Sequence, residues 1–273
     1  MPVINTNVSA LQAQSAMTSN ARQMSGAMRS LSTGSRVNSA ADDAAGLAIG
    51  QSMTSQVRGL NQAVRNLNDG INMIQTAEGA LTQTSDMLQR MRELAVQSAN
   101  GTLSSATQRA YLQTEFAALS TQIGKIATDT TWNGTPILNT ATSFTYQAGM
   151  NSGQTIVVAV ATGATLAGLM GTAATSIATP TGASTSLDML DTAISAVNTQ
   201  RASFGAAINQ MTYAVDNMQN ISTNISASRS AIMDTDYATA SSQLSKTQII
   251  QQAATAMLAQ ANQQPQSVLS LLK

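Results

Sequence analysis

Cysteine and histidine are both missing from the 273 residues. Their absence removes disulfides, the usual zinc ligands, a thiol nucleophile and the one side chain that titrates unperturbed near neutral pH. Charge is nearly as scarce. Charged residues make up 10% of the chain and aromatic residues 3%, against roughly 25% charge in an ordinary soluble domain. Lys plus Arg number 13 and Asp plus Glu number 13, so no net field favours nucleic acid. The acidic residues lie among helix-forming stretches, and nothing in their spacing shows two carboxylates converging for acid–base work; an enzyme is not expected. No apolar run reaches the ~18 residues of a membrane span. No basic residue precedes Arg22 and no apolar leader core precedes it either, so neither membrane insertion nor a standard secretion signal is expected. A cytoplasmic protein and one exported without a signal peptide both fit.

Ala, Ser, Thr, Gln, Asn and Met crowd the chain instead, and the apolar residues recur with helical spacing. Met17, Ala21, Met24, Met28 and Leu31 step 4-3-4-3. Met53, Val57, Leu60, Val64, Leu67, Ile71 and Ile74 continue that heptad pattern, which suits helices packed along a seam. Beyond Ile74 the seven-residue step persists through Leu81, Leu88 and Ala95, with Glu78 and Ser85 between them, which suggests a local phase change. The spacing predicts a helix from about Ala44 to Ala99, about 80 Å long at ~1.5 Å per residue, closed by Asn100 and Gly101. Ser105 with Gln108 reads as the capping box of a returning helix carrying Leu112, Phe116, Leu119, Ile123 and Ile126.

The longest seam is C-terminal: Leu187, Leu190, Ile194, Val197, Phe204, Ile208, Met211, Val215, Met218 and Ile225, broken by Arg201 and Ser222. A further helix is expected from about Asp236 to Asn262 with a weaker stripe of Ile250, Ala253, Met257 and Ala261, followed by Pro265 and an apolar end. Between the helical regions, residues 130–187 hold no charge and seven of the 17 glycines. There Phe144–Gln147 and Thr155–Val160, joined by Gly149, Asn151, Ser152 and Gly153, read as a β-hairpin, and Thr162–Ser186 reads as loop. The fold class is therefore mainly α, a long antiparallel helical bundle or coiled coil built from both termini with a small central hairpin region.

The outermost stripes rest on Met and Ala, which bury less area or specify packing less firmly than Leu and Ile. Each end is marginal alone and is expected to order against other subunits; a repeated heterologous contact of this kind gives an open helical array. Arg22, Arg29 and Arg36 repeat every seven residues, with no acid before Asp42, and form either a solvated stripe or pairs with Asp234 and Asp236 or with another subunit. Thr140, Ser143 and Ser152 are abundant-type acceptors for O-linked sugars.

The residues LSTGSRVNSAADDAAGLAIG (31–50) and VRGLNQAVRNLNDGINMIQTAEGAL (57–81), with INTN (4–7), resemble the N-terminal signature of bacterial flagellins. SRSAIMDTDYATASSQLSKTQIIQQAATAMLAQANQQPQSVLSLLK (228–273) resembles the family's C-terminal signature. The resemblance covers nearly all of both helical regions. It implies a structural subunit that polymerises into the flagellar filament for swimming, in a short form without large outer domains. It divides the chain into a terminal coiled-coil region lining the filament's inner tube (1–43 with 227–273), a helical domain packed around that tube (44–130 with 184–226), and a short hairpin and loop segment (131–183). Intersubunit packing then falls to Met17, Met24, Met28, Leu31, Ile250, Met257, Leu258, Leu269 and Leu272.

The resemblance also implies unfolded export through the flagellar type III apparatus to the extracellular flagellum, an export chaperone on the C-terminal helix, and hook-associated and cap proteins at the filament's ends. QRMRELAVQSAN (89–100) resembles the surface that vertebrate Toll-like receptor 5 recognises, with Gln89, Arg90, Leu94, Gln97 and, on the next helix, Glu115 as contacts. Spacing alone makes those residues an ordinary solvated helix face. Competing readings are a hook-filament junction protein, which shares helical termini, and a helical signalling rod, which would normally carry many surface charges and a membrane anchor. No cofactor is expected.

Overall fold

The computed structural model describes residues 6–102, 106–139, 141, 143–160 and 176–270, with the backbone alone at 106 and 264–270. By compactness the chain divides into a terminal unit, Met1–Val57 with Thr223–Lys273, and a central unit, Arg58–Ser222.

In the terminal unit, helix α1 (Val8–Thr33) starts where the Asn7 side chain accepts the N–H of Ala10 at 3.1 Å. It stops at Gly34, which turns left-handed at φ 71° and donates its N–H to the Ser30 carbonyl at 2.9 Å. A glycine adopts that conformation without the Cβ clash other residues suffer. The last helix, here α5 (Tyr237–Ser270), starts at Asp236, whose carboxylate accepts the Ala238 N–H at 2.9 Å and the Thr239 hydroxyl at 2.7 Å. It runs on through Pro265, beyond the expected end near Asn262.

α1 and α5 pack antiparallel along one seam. On α1 the inward positions are Ala10, Ala13, Met17, Asn20, Met24, Ala27 and Leu31; on α5 they are Leu244, Thr247, Gln251, Ala254, Leu258 and Ala261. Both sets keep the heptad step, but in a different phase from the expected stripes. Ala21 sits at the seam's margin, and Met28, Ile250, Ala253 and Met257 are exposed. Judging by side-chain size selects these bulkier neighbours, whereas close helix packing selects small residues.

A tie joins the two ends of the chain beside this pair. Ser35 bridges Asp234, the Arg36 N–H donates to the Met233 carbonyl at 2.7 Å, and the Thr235 N–H donates to the Gly34 carbonyl at 2.9 Å. The Arg36 guanidinium donates to the Ile232 carbonyl at 2.6 Å, so its partner is a backbone oxygen and not Asp234 or Asp236. Val37, 2% exposed, fills the tie. Asp42 brackets the loop by accepting the N–H groups of Asn38 and Ser39 and the Ser39 hydroxyl, which holds its carboxyl below the ordinary value of 3.8. Asp43 then caps the next helix by accepting the Gly46 N–H at 2.8 Å. Gly50 lets the Met233 side chain approach: a Cβ there would lie 2.5 Å from its sulfur, so a larger residue makes Met233 move.

That next helix, α2, spans Ala44–Ala99, the bounds the spacing predicts. It is followed by α3 (Ala106–Asp129), a short ladder of β1 (Thr131–Trp132) with β2 (Thr135–Pro136), a hairpin of β3 (Ser143–Gln147) with β4 (Thr155–Ala159), and α4 (Pro180–Met233). Asn133 (φ 49°) and Gly134 (φ 79°) make the tight turn between β1 and β2. The hairpin runs antiparallel with Phe144 opposite Val158 and Tyr146 opposite Ile156.

The core of the central unit lies along α2 and α4. On α2, Leu60, Leu67, Ile74, Leu81, Leu88 and Ala95 alternate with Ala63, Gly70, Ala77, Thr84, Met91 and Ser98, all buried. The intervening position is thus a small or flexible residue one place before the expected one, and no phase change occurs at Glu78. On α4 the buried set is Ala183, Ser186, Leu190, Ala193, Val197, Gln200, Phe204, Met211, Val215 and Met218. Glu78 and Arg201, the charged breaks in the two expected seams, face each other at 3.9 Å. Phe116, Ile123 and Ala127 give α3 its buried face.

Three local expectations change. Residues 180–186 are helix and not loop, because Thr179 accepts the Gly182 N–H at 3.1 Å and Pro180 takes the first helical position, where its missing N–H costs nothing; residues 162–175 lie outside those described. α2 does end at Ala99, but Gly101 is not left-handed. Instead Arg109 of α3, 9% exposed, donates to the carbonyls of Ser98 and Asn100 at 3.1 and 3.2 Å. Ser105 of the expected capping box lies outside the described residues.

Candidate assembly surfaces

Two exposed faces carry the chemistry available to this molecule, one in each unit. In the terminal unit, only Ala27 and Val37 are buried apolar residues among those described, whereas Val8, Leu11, Met28, Ile49, Tyr237, Ile249, Ile250 and Met257 are exposed large ones. Met28 is 55% exposed, Ile249 66% and Met257 65%. Each Ile or Met of this kind gains about 1.5–3 kcal/mol on full burial, so α1 and α5 carry unrealised apolar burial on their outward faces. Of the residues expected to pack between subunits, Met17, Met24, Leu31 and Leu258 are half-buried in the α1–α5 seam. Met28, Ile250 and Met257 are on the outward side. The Leu269 side chain and Leu272 lie outside the described residues.

The seam itself is polar at its centre. Asn20, 6% exposed, donates its amide to the Thr247 carbonyl at 2.8 Å and to Gln251 Oε1 at 3.1 Å. Nearer the ends of the pair, Asn7 donates its amide to the Ala261 carbonyl at 2.7 Å.

In the central unit, the end of α2 presents Gln89, Arg90, Arg92, Glu93, Val96 and Gln97 outward. Arg90 donates Nε to Glu115 at 2.9 Å and a terminal nitrogen to Glu93 at 3.0 Å. These hydrogen bonds, Glu115's first, raise the Arg90 pKa. Arg92 donates to Asp191 of α4 at 2.6 Å, which holds the Asp191 carboxyl below its ordinary value. The pairs are too exposed to contribute much stability; they orient side chains. Leu94 departs from the expected contact set. It is 1% exposed because it lies beside the α2 seam, between Met91 and Ala95, and so holds the helix in place without offering surface. Beneath this face Arg109 closes the helix end. The Ser98 hydroxyl donates to the Ile177 carbonyl, and the Ile177 N–H donates to Gln113 at 2.6 Å. Arg109 stands one heptad before Phe116 on the buried face of α3, but it and Gln113 are polar, so a search for apolar spacing passes over both.

The hairpin is seated on both long helices. Tyr146 donates its hydroxyl to the Met73 sulfur at 2.9 Å, its ring lies against Gly70, and Gln200 donates to the Ala159 carbonyl at 3.0 Å. Burial pushes the Tyr146 phenol up. Ser143 and Ser152 are exposed, and Thr140 lies outside the described residues.

Among the described residues no group of three acidic side chains is placed to hold a metal ion, and no helix is long and apolar enough to cross a membrane. The comparisons with known proteins agree with a polymerising surface. Residues 4–143 match the family described as the bacterial flagellin N-terminal helical region, and residues 187–272 match the bacterial flagellin C-terminal helical region. The chain is 43% identical over 272 residues to a flagellin of Halalkalibacterium halodurans, covering 99% of this chain and 100% of that protein. It is 39% identical to a Bacillus subtilis flagellin, covering 99% of each. It is 41% identical to a flagellar filament 33 kDa core protein of Treponema phagedenis, covering 99% of this chain and 100% of that one. A crystal structure of Bacillus cereus flagellin superposes with a TM-score of 0.50 at 30% identity, covering 60% of this chain and 94% of that one.

Proposed function

The chain belongs to the bacterial flagellin family and is a structural subunit that polymerises into the flagellar filament; from that premise we propose how its surfaces divide the work. Residues 1–43 with 227–273 form the terminal coiled-coil region that lines the inner tube. Residues 44–130 with 184–226 form the helical domain packed around it. Residues 131–183 stay short on the outside, so the filament is comparatively smooth.

The observation that carries this reading is the imbalance of the terminal unit, with two buried apolar residues against eight exposed large ones among those described. Neighbouring copies supply the missing burial: Met28, Ile250 and Met257 pack directly against other subunits, while Met17, Met24, Leu31 and Leu258 shape the pair that does so. Leu269 and Leu272 join this packing by family resemblance alone. No catalytic step is involved.

The finer partners follow from the same premise. The exposed apolar face of α5 is the site for an export chaperone before secretion through the type III apparatus to the extracellular flagellum. Hook-associated and cap proteins meet the subunits at the filament's two ends. Gln89, Arg90, Gln97 and Glu115 form the face met by Toll-like receptor 5, with Arg90 already oriented by Glu115; failure of purified monomer to activate receptor-expressing cells at any dose removes this part.

Deletion of residues 1–30 tests the assembly reading. The shortened chain should stay largely helical by circular dichroism, because the central unit's core is untouched, yet form no filaments by electron microscopy after seeding or salting-out. Normal filaments from the deletion would overturn the assignment of the ends.

A further inference from the structure

The α1–α5 seam has little in its apolar content to choose one alignment over another. Ala10, Ala13, Met17, Met24, Ala27 and Leu31 face Leu244, Ala254, Leu258 and Ala261, all small or flexible. A slip of α5 by seven residues would set Ala and Leu or Met against one another again. A slip would have to break the tie between residues 34–36 and 233–235 at one end of the pair and, within the seam itself, the polar centre. Asn20 is 6% exposed and Thr247 fully buried, and the Asn20 amide reaches both the Thr247 carbonyl and the Gln251 side chain. Moving α5 by one heptad replaces Thr247 and Gln251 by Ala240 and Leu244, or by Ala254 and Leu258. The carboxamide would then be buried with its side-chain acceptor gone, and an unsatisfied buried polar group costs more than a made hydrogen bond returns. A single buried Asn specifies helix alignment in this way at some cost to stability.

We propose that Asn20 is the register-determining residue within the seam of the terminal helix pair: its amide, held by Thr247 and Gln251, carries along the helices the alignment that the tie at residues 34–36 and 233–235 starts at one end, and so sets the outward stripes of both helices in one fixed relation. Asn7, thirteen positions earlier, donates to the Ala261 backbone carbonyl and adds a polar contact without selecting the register. The alignment stands on this geometry alone. Its consequence for polymerisation rests on the filament role proposed above.

The absence of native cysteine makes the alignment directly readable. Gln23 and Gln243 touch at 3.5 Å across the seam, so Gln23→Cys with Gln243→Cys reports the native alignment, and Gln23→Cys with Ile250→Cys reports a one-heptad slip. Each pair is treated with a short bis-maleimide, in concentrated solution and after salting-out, and the intrachain product is separated from interchain products by denaturing electrophoresis. In the native background the first pair should react about tenfold more than the second, and Asn20→Leu should reduce that preference to about twofold, as expected for one buried hydrogen-bonded group. Gln251→Leu, which leaves Asn20 one acceptor, should reduce it to about threefold and decides the matter if Asn20→Leu loses helicity. An undiminished preference in both variants, or no intrachain product from the first pair in either state, overturns the proposal. Failure of the unsubstituted chain to form filaments counts against the filament role instead, since the product ratio in solution still reports the alignment.

Discussion

The two units of this chain are built from the same residue types and are stabilised in different ways. Of the 30 buried apolar residues among those described, 28 lie in the central unit, including all of the largest fully buried ones. The terminal unit has shorter helices, 26 and 34 residues against 56 and 54; its seam centres on Asn20 and Thr247, and the segments beside it are joined by backbone hydrogen bonds at residues 34–36 and 233–235 and by the Arg36 guanidinium on the Ile232 carbonyl. A helix therefore does not need a core of its own to be specified. Periodicity, caps and a polar centre define the pair, and burial can be supplied from outside the subunit.

The contrast can be broken most forcefully in the central unit. Phe204→Ala removes a fully buried ring and should cost about 3–5 kcal/mol, whereas Met24→Ala in the half-buried terminal seam should cost less than about 1 kcal/mol of the monomer's stability; urea unfolding followed by circular dichroism compares the two. Equal costs would show that the terminal unit has a core after all. Next in size is Gly70→Ala. The new Cβ would lie 3.0 Å from the Tyr146 ring, and the displaced hairpin should cost about 1–3 kcal/mol in the same measurement.

A glycine in the terminal unit gives a smaller effect on global unfolding but a sharper local one. Gly34→Ala forces a left-handed alanine at φ 71°, worth about 1–2 kcal/mol, and should raise proteolysis at residues 34–43 while leaving the central unit's protection unchanged. The loop should also respond to acid. Asp42 and Asp236 titrate below the ordinary 3.8 in the folded chain because hydrogen bonds favour their ionised forms. Folding is thus favoured above the unfolded value, and that contribution is lost as pH falls through the lower folded values. Amide exchange at residues 38–42 should therefore accelerate below about pH 4, and Asp42→Asn should abolish much of the pH dependence there. The smallest effect is expected from Glu115→Gln. It removes one of the two carboxylates that hold Arg90 on an exposed face, leaving Glu93, and should leave the unfolding midpoint unchanged, so any effect it has on receptor activation is separable from stability.

The sequence made long-range periodicity legible and concealed close packing. The bounds of α2 and the pairing of β3 with β4 follow from heptad spacing and turn residues, as does the mainly helical class. The phase of the seams did not, because spacing was followed through the bulkiest side chains. Ala63, Ala77, Ala193 and Gln200 occupy the buried positions, and Val64, Ile71, Ile194 and Ile208 flank them half-buried. The start of α4 was legible in Thr179 and Pro180, a cap followed by a first-turn proline, but Gly182 and the glycine-rich segment before it argued for loop. Leu94 was placed by family likeness on a surface, and its position beside the α2 seam puts it in the core. Arg109 could be found only from coordinates, since a buried cation closing another helix has no local pattern.

The pairing of α1 with α5 also sets a schedule. Asn7 meets Ala261 and Asn20 meets Thr247 across sequence separations of 254 and 227 residues, so α1 is synthesised well before α5 and waits for it. Contacts of such high order form late, after the entropy of closing the intervening chain has been met. A product truncated before the final helix leaves α1 without its mate, and only a finished polypeptide acquires a complete terminal unit.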